Sequence, residues 1–335
     1  MTVPVLSVRD LTTVLHLAGG PAEVVRGVSF DVYAGETVAL VGESGCGKSM
    51  TMLSVMGLHP QPPAEVVAGR VEFEGLDLLG LSEERRRLTR GADLAMVYQD
   101  PMTSLNPLMR VGDQISEVIT SHGRSRDEAR RRTLEVLGQV GIPLPARAAE
   151  SYPHEFSGGM RQRVMIAIAL ALRPKVLIAD EPTTALDVTI QQQIIELVGN
   201  IQADTGMAVV WITHDLGVVA RVAGRTLVMY GGHIVETGST ARVFRRPEHP
   251  YTAGLLASIP PVRGKDRPEL VQIPGTPPDP AHQPSGCPFH PRCPNAVARC
   301  FEEMPPRTVR SADPDTEADE AQTAACWVPP EEWVA

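Results

Sequence analysis

The sequence predicts an α/β fold: parallel strands around one phosphate-binding loop, followed by a small irregular C-terminal appendage rich in cysteine and proline. Three observations carry that prediction. The stretch "GESGCGKS", Gly42 to Ser49, fits G-x-x-x-x-G-K-[ST] directly after a strand-like run, "ETVALV". "KVLIAD" and "MAVVWIT" are nearly continuous apolar runs, the pattern of strands buried on both faces of a parallel sheet. After about Arg245 the chain turns proline-rich, in "RRPEHPYT", "IPPVRG", "IPGTPPDP" and "CPFHPRCP".

Along the chain, residues 1 to about 100 read as short strands separated by turns. "VLSVRDL", "VSFDVY" and "ETVALV" are β-branched-rich, with "AGGPAE" and "AGE" as turns, and "VEFEGLDL" and "LAMVYQ" continue the pattern. Residues 126–140, "RDEARRRTLEVLGQV", suit a helix with Leu134, Val136 and Leu137 beside a charged face. A second helix is expected through "GGMRQRVMIAIALAL", closed by Arg173 and Pro174. "TLVMYGGHIVETG" reads as a hairpin turning at Gly231 and Gly232.

A chain of 335 residues is long enough for one large domain and an appendage. It offers no run of ~20 apolar residues to span a bilayer, and "MTVPVLSVRD" lacks the regions of a signal peptide. A cytosolic setting is therefore expected, where structural disulfides are rare. The net charge of −9 disfavours nucleic-acid binding through bulk electrostatics. Much of the acidic excess lies beyond Phe301, and "SADPDTEADE" reads as a solvated, partly mobile loop.

The chemistry concentrates in a few motifs. In the phosphate loop, Gly42, Ser44, Gly45 and Gly47 let backbone N–H groups turn inward at the start of a helix. Lys48 is expected to reach the β- and γ-phosphates and Ser49 to ligate Mg²⁺. Cys46 fills a variable position of the loop. In "VLIADEP", Asp180 ends a hydrophobic strand, where its carboxylate can hold Mg²⁺ through water, and Glu181 can act on the attacking water as a general base.

Between these motifs lies "FSGGMRQR", Phe156 to Arg163, and here the chain resembles the ATP-binding subunits of ABC transporters. "QDPMTSLNP", "EPTTALDVT", "RRPEHPYTAGLLASIP" and "IPGTPP" narrow the likeness to the oligopeptide/dipeptide (peptide/nickel) importer branch, over almost the whole chain. The resemblance implies a P-loop NTPase (RecA-like) core with an antiparallel β subdomain and an ABC-type helical subdomain. It places the ATPase domain at 1–245, its helical subdomain at about 101–170, and the appendage at 246–335. Ser157, Gly158 and Gly159 correspond to the signature that holds a γ-phosphate bound to the opposite cassette. Gln99 corresponds to the Q-loop glutamine that senses Mg²⁺ and water, Asp187 to the D-loop, and His214 to the switch histidine. "GGPAEVV" has no aromatic to stack on adenine, so no base contact is assigned.

ATP-driven uptake is the function this implies. The partners implied are a second, related ATPase, two transmembrane permeases and, indirectly, an extracytoplasmic binding protein, with the chain peripheral on the cytoplasmic membrane face. A soluble ABC ATPase acting on nucleic acid or ribosomes is the alternative, but it typically carries tandem cassettes or a coiled-coil insertion absent here. A metal- or redox-regulated ATPase is a third.

That last option rests on Cys287, Cys293, Cys300 and Cys326. Their C-x5-C-x6-C-x25-C spacing lacks the close pairs of zinc sites and does not match the ferredoxin run. A staple for a proline-rich segment and Cys-Pro steps nevertheless favour a 4Fe–4S cluster, as relatives with this tail look able to carry one; zinc is the alternative. His290 could replace a ligand, although a polar loop histidine is the preferred reading, and Gln322 stands where relatives often carry a histidine.

Overall fold

The computed structural model describes residues 3–184, 186–259, 272–311 and 321–333. They form two compact units, each built from several chain segments: Met1–Leu6, Val32–Glu36 and Phe73–Trp211 in one, and Ser7–Asp31, Thr37–Glu72 and Ile212–Ala335 in the other. The acidic segment expected to be mobile falls at residues 311–320, of which 312–320 lie outside the described residues.

In the unit holding the phosphate loop, the strand Thr37–Val41 is buried at all five positions. It pairs in parallel with Arg225–Tyr230, in register from Val38 opposite Arg225 to Val41 opposite Val228. Arg225–Tyr230 then turns through Gly231 and Gly232 into the antiparallel strand His233–Ser239, as the hairpin pattern predicts. Both glycines have positive φ (53° and 86°), which the tight turn demands of them. The N-terminal strands are longer than their sequence suggests, Leu6–Leu17 and Gly20–Val32, and lie beside Ala64–Phe73. Polar residues such as Thr12 and Thr13 interrupt the apolar pattern there while the extended backbone runs on.

The appendage belongs to this unit and is more regular than its prolines imply. Just after the helix Thr240–Arg245 that leads into it, a helix forms at Pro250–Ala257, and the short strands Thr308–Ser311 and Gln322–Ala324 extend the sheet beside His233–Ser239. Pro250 at the first helical position and the His249 ring accepting from the Tyr251 amide (3.1 Å) explain the start of Pro250–Ala257. Tyr230, Tyr251 and Phe289 form an aromatic triangle with ring centroids 4.5–5.4 Å apart, buried with Val41, Val228 and Val235. Burial of each such side chain contributes about 1.5–3 kcal/mol.

A polar junction completes the attachment. Glu236, fully buried, accepts hydrogen bonds from the amides of Glu248 (2.8 Å) and His249 (3.0 Å) and from Gln322 Nε2 (2.7 Å). Gln322, which sequence reading singles out only for replacing a histidine, therefore fastens the appendage to the sheet.

The other unit carries a parallel pair, Leu94–Val97 beside Val176–Asp180, in register from Leu94 opposite Val176 to Val97 opposite Ala179. Its helices include Val111–Ser121, Arg126–Gln139, Pro145–Ala149, Gly158–Leu170 and Val188–Thr205. Arg126–Gln139 matches the expected helix. Ser125 caps it by accepting from the Glu128 amide (3.2 Å), and Ala129, Thr133, Val136 and Leu137 form its buried face. Gly158–Leu170 also falls where expected and buries residues around most of its circumference. No helix among the described residues is long and apolar enough to cross a membrane.

Burial pushes the Glu236 carboxyl up to about 7, although its hydrogen bonds pull the other way. Between the ordinary carboxylate range and about 7 the folded chain thus keeps a proton that the unfolded chain has released. The stability this contributes is complete below that window and is lost as pH rises through about 7. Glu236→Gln removes the titration. Its stability deficit against the wild type, from urea unfolding of the full chain, should be largest near pH 5 and shrink by pH 8. A deficit independent of pH contradicts the assignment.

Candidate functional site

The phosphate loop springs from the buried strand Thr37–Val41 and ends at the helix Lys48–Met56. Three of its glycines have φ values that L side chains rarely adopt, and two leave no space for a side chain. A Cβ on Gly42 (φ 152°) would lie 2.2 Å from the Met229 carbonyl oxygen, and one on Gly47 (φ 104°) 2.4 Å from that of Val24. Gly45 (φ 80°) meets nothing within 4 Å, so its requirement is conformational alone. Ser44 and Gly45 are exposed, and Ser49 is half-buried in the first turn of the helix. Backbone N–H groups at that helix start make an anion-binding cradle.

Lys48 is only 6% exposed, and its ammonium donates to the carbonyl oxygens of Gly42 (2.7 Å) and Glu43 (2.9 Å). A long third contact runs to Cys46 Sγ (3.7 Å), a weak acceptor that a phosphate oxygen can replace. Cys46 lies 3.7 Å from the ammonium, and burial pushes its thiol pKa up, so it behaves as a packed neutral group. His214, exposed after the strand Ala208–Thr213, lines a cavity of about 380 Å³ with Gly42, Glu43 and Arg292.

In the other unit, the parallel pair brings two predicted residues together. Val176–Asp180 is buried to its last residue, with Asp180 5% exposed, and Glu181 follows at φ 47°. A left-handed backbone at a non-glycine residue costs of order 1–3 kcal/mol. Here it turns the carboxylate so that Oε2 accepts from Gln99 Nε2 (3.1 Å) and Thr184 Oγ1 (2.9 Å).

Two helix starts also converge in this unit. Ser157 caps Gly158–Leu170 by accepting from the Met160 amide (3.4 Å), and Asp187 caps Val188–Thr205 by accepting from the Ile190 amide (2.9 Å). A Cβ on Gly159 would stand 2.7 Å from Ile190 Cγ2, so the glycine lets the two helix starts approach closely. Ser157, Gly158 and Asp187 remain exposed.

The cysteine expectation is corrected. Cys287, Cys293, Cys300 and Cys326 line one cavity of about 10 Å³, space for no more than about one water. Among the described residues, no group of three or more His, Cys, Asp or Glu side chains is placed to hold a metal ion. Burial pushes the Cys287 thiol up to about 12, Cys293 up to about 11, and Cys326 upward, so these three are neutral in the metal-free chain. Neither the 4Fe–4S cluster nor the zinc alternative fits this donor set. His290 does not complete a ligand group with these thiols; its Nδ1 is hydrogen-bonded to the Cys287 carbonyl (2.9 Å). Three of the cysteines act instead as small apolar residues, Cys287 and Cys300 in the buried core and Cys293 packed against it, while the Cys326 thiol donates to the Val328 carbonyl (3.2 Å).

Sequence reasoning missed Glu43, Tyr251 and Arg292. The Glu43 carboxylate forms a two-point ion pair with Arg292 (2.6 and 3.0 Å), and its amide donates to Tyr251 Oη (2.8 Å). These partners lie 249 and 208 residues away in the chain. Glu43 occupies an unspecified position of the loop pattern, so no local signal marked it.

A glycine-locked phosphate loop and a hydrogen-bonded carboxylate after a buried strand define a nucleotide-binding ATPase of the phosphate-loop class. The profile of the ABC transporter family matches residues 25–184, and that of the oligopeptide/dipeptide transporter C-terminal region matches residues 235–300. The Bacillus subtilis dipeptide transport ATP-binding protein DppD is 51% identical over 325 residues, 97% of this chain and 94% of that protein. The Escherichia coli DppD is 50% identical over 301 residues, covering 90% and 91% of the two chains. A dimeric ABC transporter cassette, MJ0796, superposes with a TM-score of 0.63 at 27% identity, covering 70% of this chain and 98% of the cassette. The chain belongs to the ATP-binding subunits of ABC transporters.

The two kinds of glycine constraint separate experimentally. Gly45→Ala should cost about 1–2 kcal/mol from its backbone conformation alone. Gly47→Ala adds a clash with Val24 and should cost more and abolish ATP binding. Denaturant unfolding and nucleotide titration of both variants check this, and equal costs would contradict it.

Proposed function

We propose that this chain hydrolyses ATP to power an ABC importer of peptides. The observation that carries the reading is the pairing of an ABC cassette with an oligopeptide/dipeptide-type C-terminal region in one chain that is about half identical to dipeptide transport subunits. We divide the chain functionally into the ATPase domain 1–245, with a helical subdomain at about 101–170, and the appendage 246–335.

The roles follow from the chemistry of each group. Gly42, Ser44, Gly45 and Gly47 shape the backbone that cradles the phosphates, and Lys48 neutralises charge on the β- and γ-phosphates. Ser49, Asp180 (through water) and Gln99 are hard oxygen donors suited to Mg²⁺, which supplies charge stabilisation on the transferring phosphoryl group. Glu181 orients the attacking water as general base; its contacts to Gln99 and Thr184 fix the carboxylate. His214 contacts the γ-phosphate. Ser157, Gly158 and Gly159 present a helix N-terminus to the nucleotide of a partner cassette, and Asp187 communicates across that interface.

In this reading two cassettes close around two ATP molecules, and hydrolysis reopens them. The partner is a related but distinct ATPase. Two permeases carry the cargo, and an extracytoplasmic binding protein delivers it. The chain acts at the cytoplasmic membrane face, with no role for nucleic acid.

Glu181→Gln should retain ATP binding and lose turnover by about 10²–10⁴-fold, the range for removal of a general base. Lys48→Ala should weaken nucleotide binding itself. Equilibrium binding and phosphate-release assays separate the two, and normal turnover in Glu181→Gln would refute the assignment.

A further inference from the structure

We propose that the C-terminal appendage positions the phosphate loop through Glu43, with Arg292 and Tyr251 as positioning residues for ATP binding. The proposal rests on the reading of Lys48 as the phosphate-binding lysine.

Every polar group of Glu43 is engaged. Its carboxylate meets Arg292, its amide donates to Tyr251 Oη, and its carbonyl accepts from the Lys48 ammonium at 2.9 Å. The path from the appendage to the phosphate-binding lysine is therefore one residue long. All these residues belong to one compact unit.

Arg292 is built for this contact. Its side chain is 5% exposed, and a buried guanidinium requires pairing. Nε donates to the Pro274 carbonyl (2.8 Å). Nη1 donates to Glu43 Oε2 (2.6 Å) and Tyr230 Oη (3.2 Å), and Nη2 to Glu43 Oε1 (3.0 Å) and the Ile273 carbonyl (3.4 Å). The planar fork matches a carboxylate in a way that a lysine cannot. Tyr251 is fully buried in the aromatic triangle, so the oxygen that receives the Glu43 amide is fixed in place.

The loop has few alternative supports on this side. Gly42 and Glu43 face the 380 Å³ cavity, walled by Leu255, Ile273 and Arg292 of the appendage. Open space there means that polar contacts, rather than close packing, hold the Glu43 peptide. Without them the carbonyl that orients Lys48 keeps, beside the ammonium itself, only a long bond from the Cys46 amide (3.4 Å).

The test is a double-mutant cycle on ATP affinity in the full-length chain. Arg292→Ala and Glu43→Ala should each raise KM for ATP, and the Kd for a fluorescent ATP analogue, by about ten-fold, the order supplied by a charge-assisted pair. The kcat should stay within about two-fold, since no transition-state contact is lost. The double variant should be no worse than either single, and Arg292→Lys should recover part of the loss. Arg299→Ala serves as the control. Its guanidinium stacks on Trp327 at 3.5 Å, so it perturbs the appendage away from the loop, and KM should not move. Near-ultraviolet circular dichroism verifies folding. If Arg292→Ala does not fold, Tyr251→Phe, which deletes one acceptor, should still raise KM. An unchanged KM in folded variants, multiplicative effects, or an equal rise in Arg299→Ala would overturn the proposal. A wild-type chain that neither binds nor hydrolyses ATP would instead overturn the reading of the loop beneath it.

Discussion

The structure depends on holding one buried ammonium in a loop with almost no side chains. Lys48 sits at the mouth of a helix, bonded to the carbonyls of Gly42 and Glu43 and nearly shielded from water. A charge so placed is tolerable only where oxygen dipoles are fixed around it. Fixing them requires the loop to turn tightly against Val24 and Met229, which is why glycine stands at 42 and 47. The buried strand Thr37–Val41 and its partner Arg225–Tyr230 supply the floor on which that turn is made. Sheet, loop and lysine form one construction.

The appendage follows from the same requirement. Its apolar contribution is the aromatic triangle and the buried cysteines, and this non-directional burial supplies the binding energy. Direction comes from two polar junctions: Glu236 gathers the chain at 248–249 and at Gln322, and Arg292 grips Glu43. A buried polar group is costly unless each partner is in place. The two junctions therefore favour one seating of the appendage on the sheet, and that seating reaches the phosphate loop.

Much of this was legible in the sequence wherever the determinants are contiguous. The strand–loop–helix around Lys48, the strand ending at Asp180, and the Gly231–Gly232 hairpin are short-range patterns, and the structure places them as written. The helix Pro250–Ala257 was within reach, because a proline at its first position is a start signal that proline-rich surroundings obscured. The strands Thr308–Ser311 and Gln322–Ala324, four and three residues long, are too short to show periodicity. The contacts of Glu43 could not be read, because they join residues more than two hundred positions apart. The cysteines misled for the opposite reason. Their closeness in sequence invited a ligand set, whereas the fold uses them to fill a core beside Phe289.

The central claim is that the appendage fixes the phosphate loop before any nucleotide arrives. Residue-resolved hydrogen exchange of the full chain, without and with ATP, tests it most directly. The account predicts that the Glu43 amide, bonded to buried Tyr251, exchanges slowly in both states, while the amides of the exposed Ser44 and Gly45 gain protection only when ATP is added. A Glu43 amide that exchanges as fast as an exposed loop in the nucleotide-free chain would contradict the account.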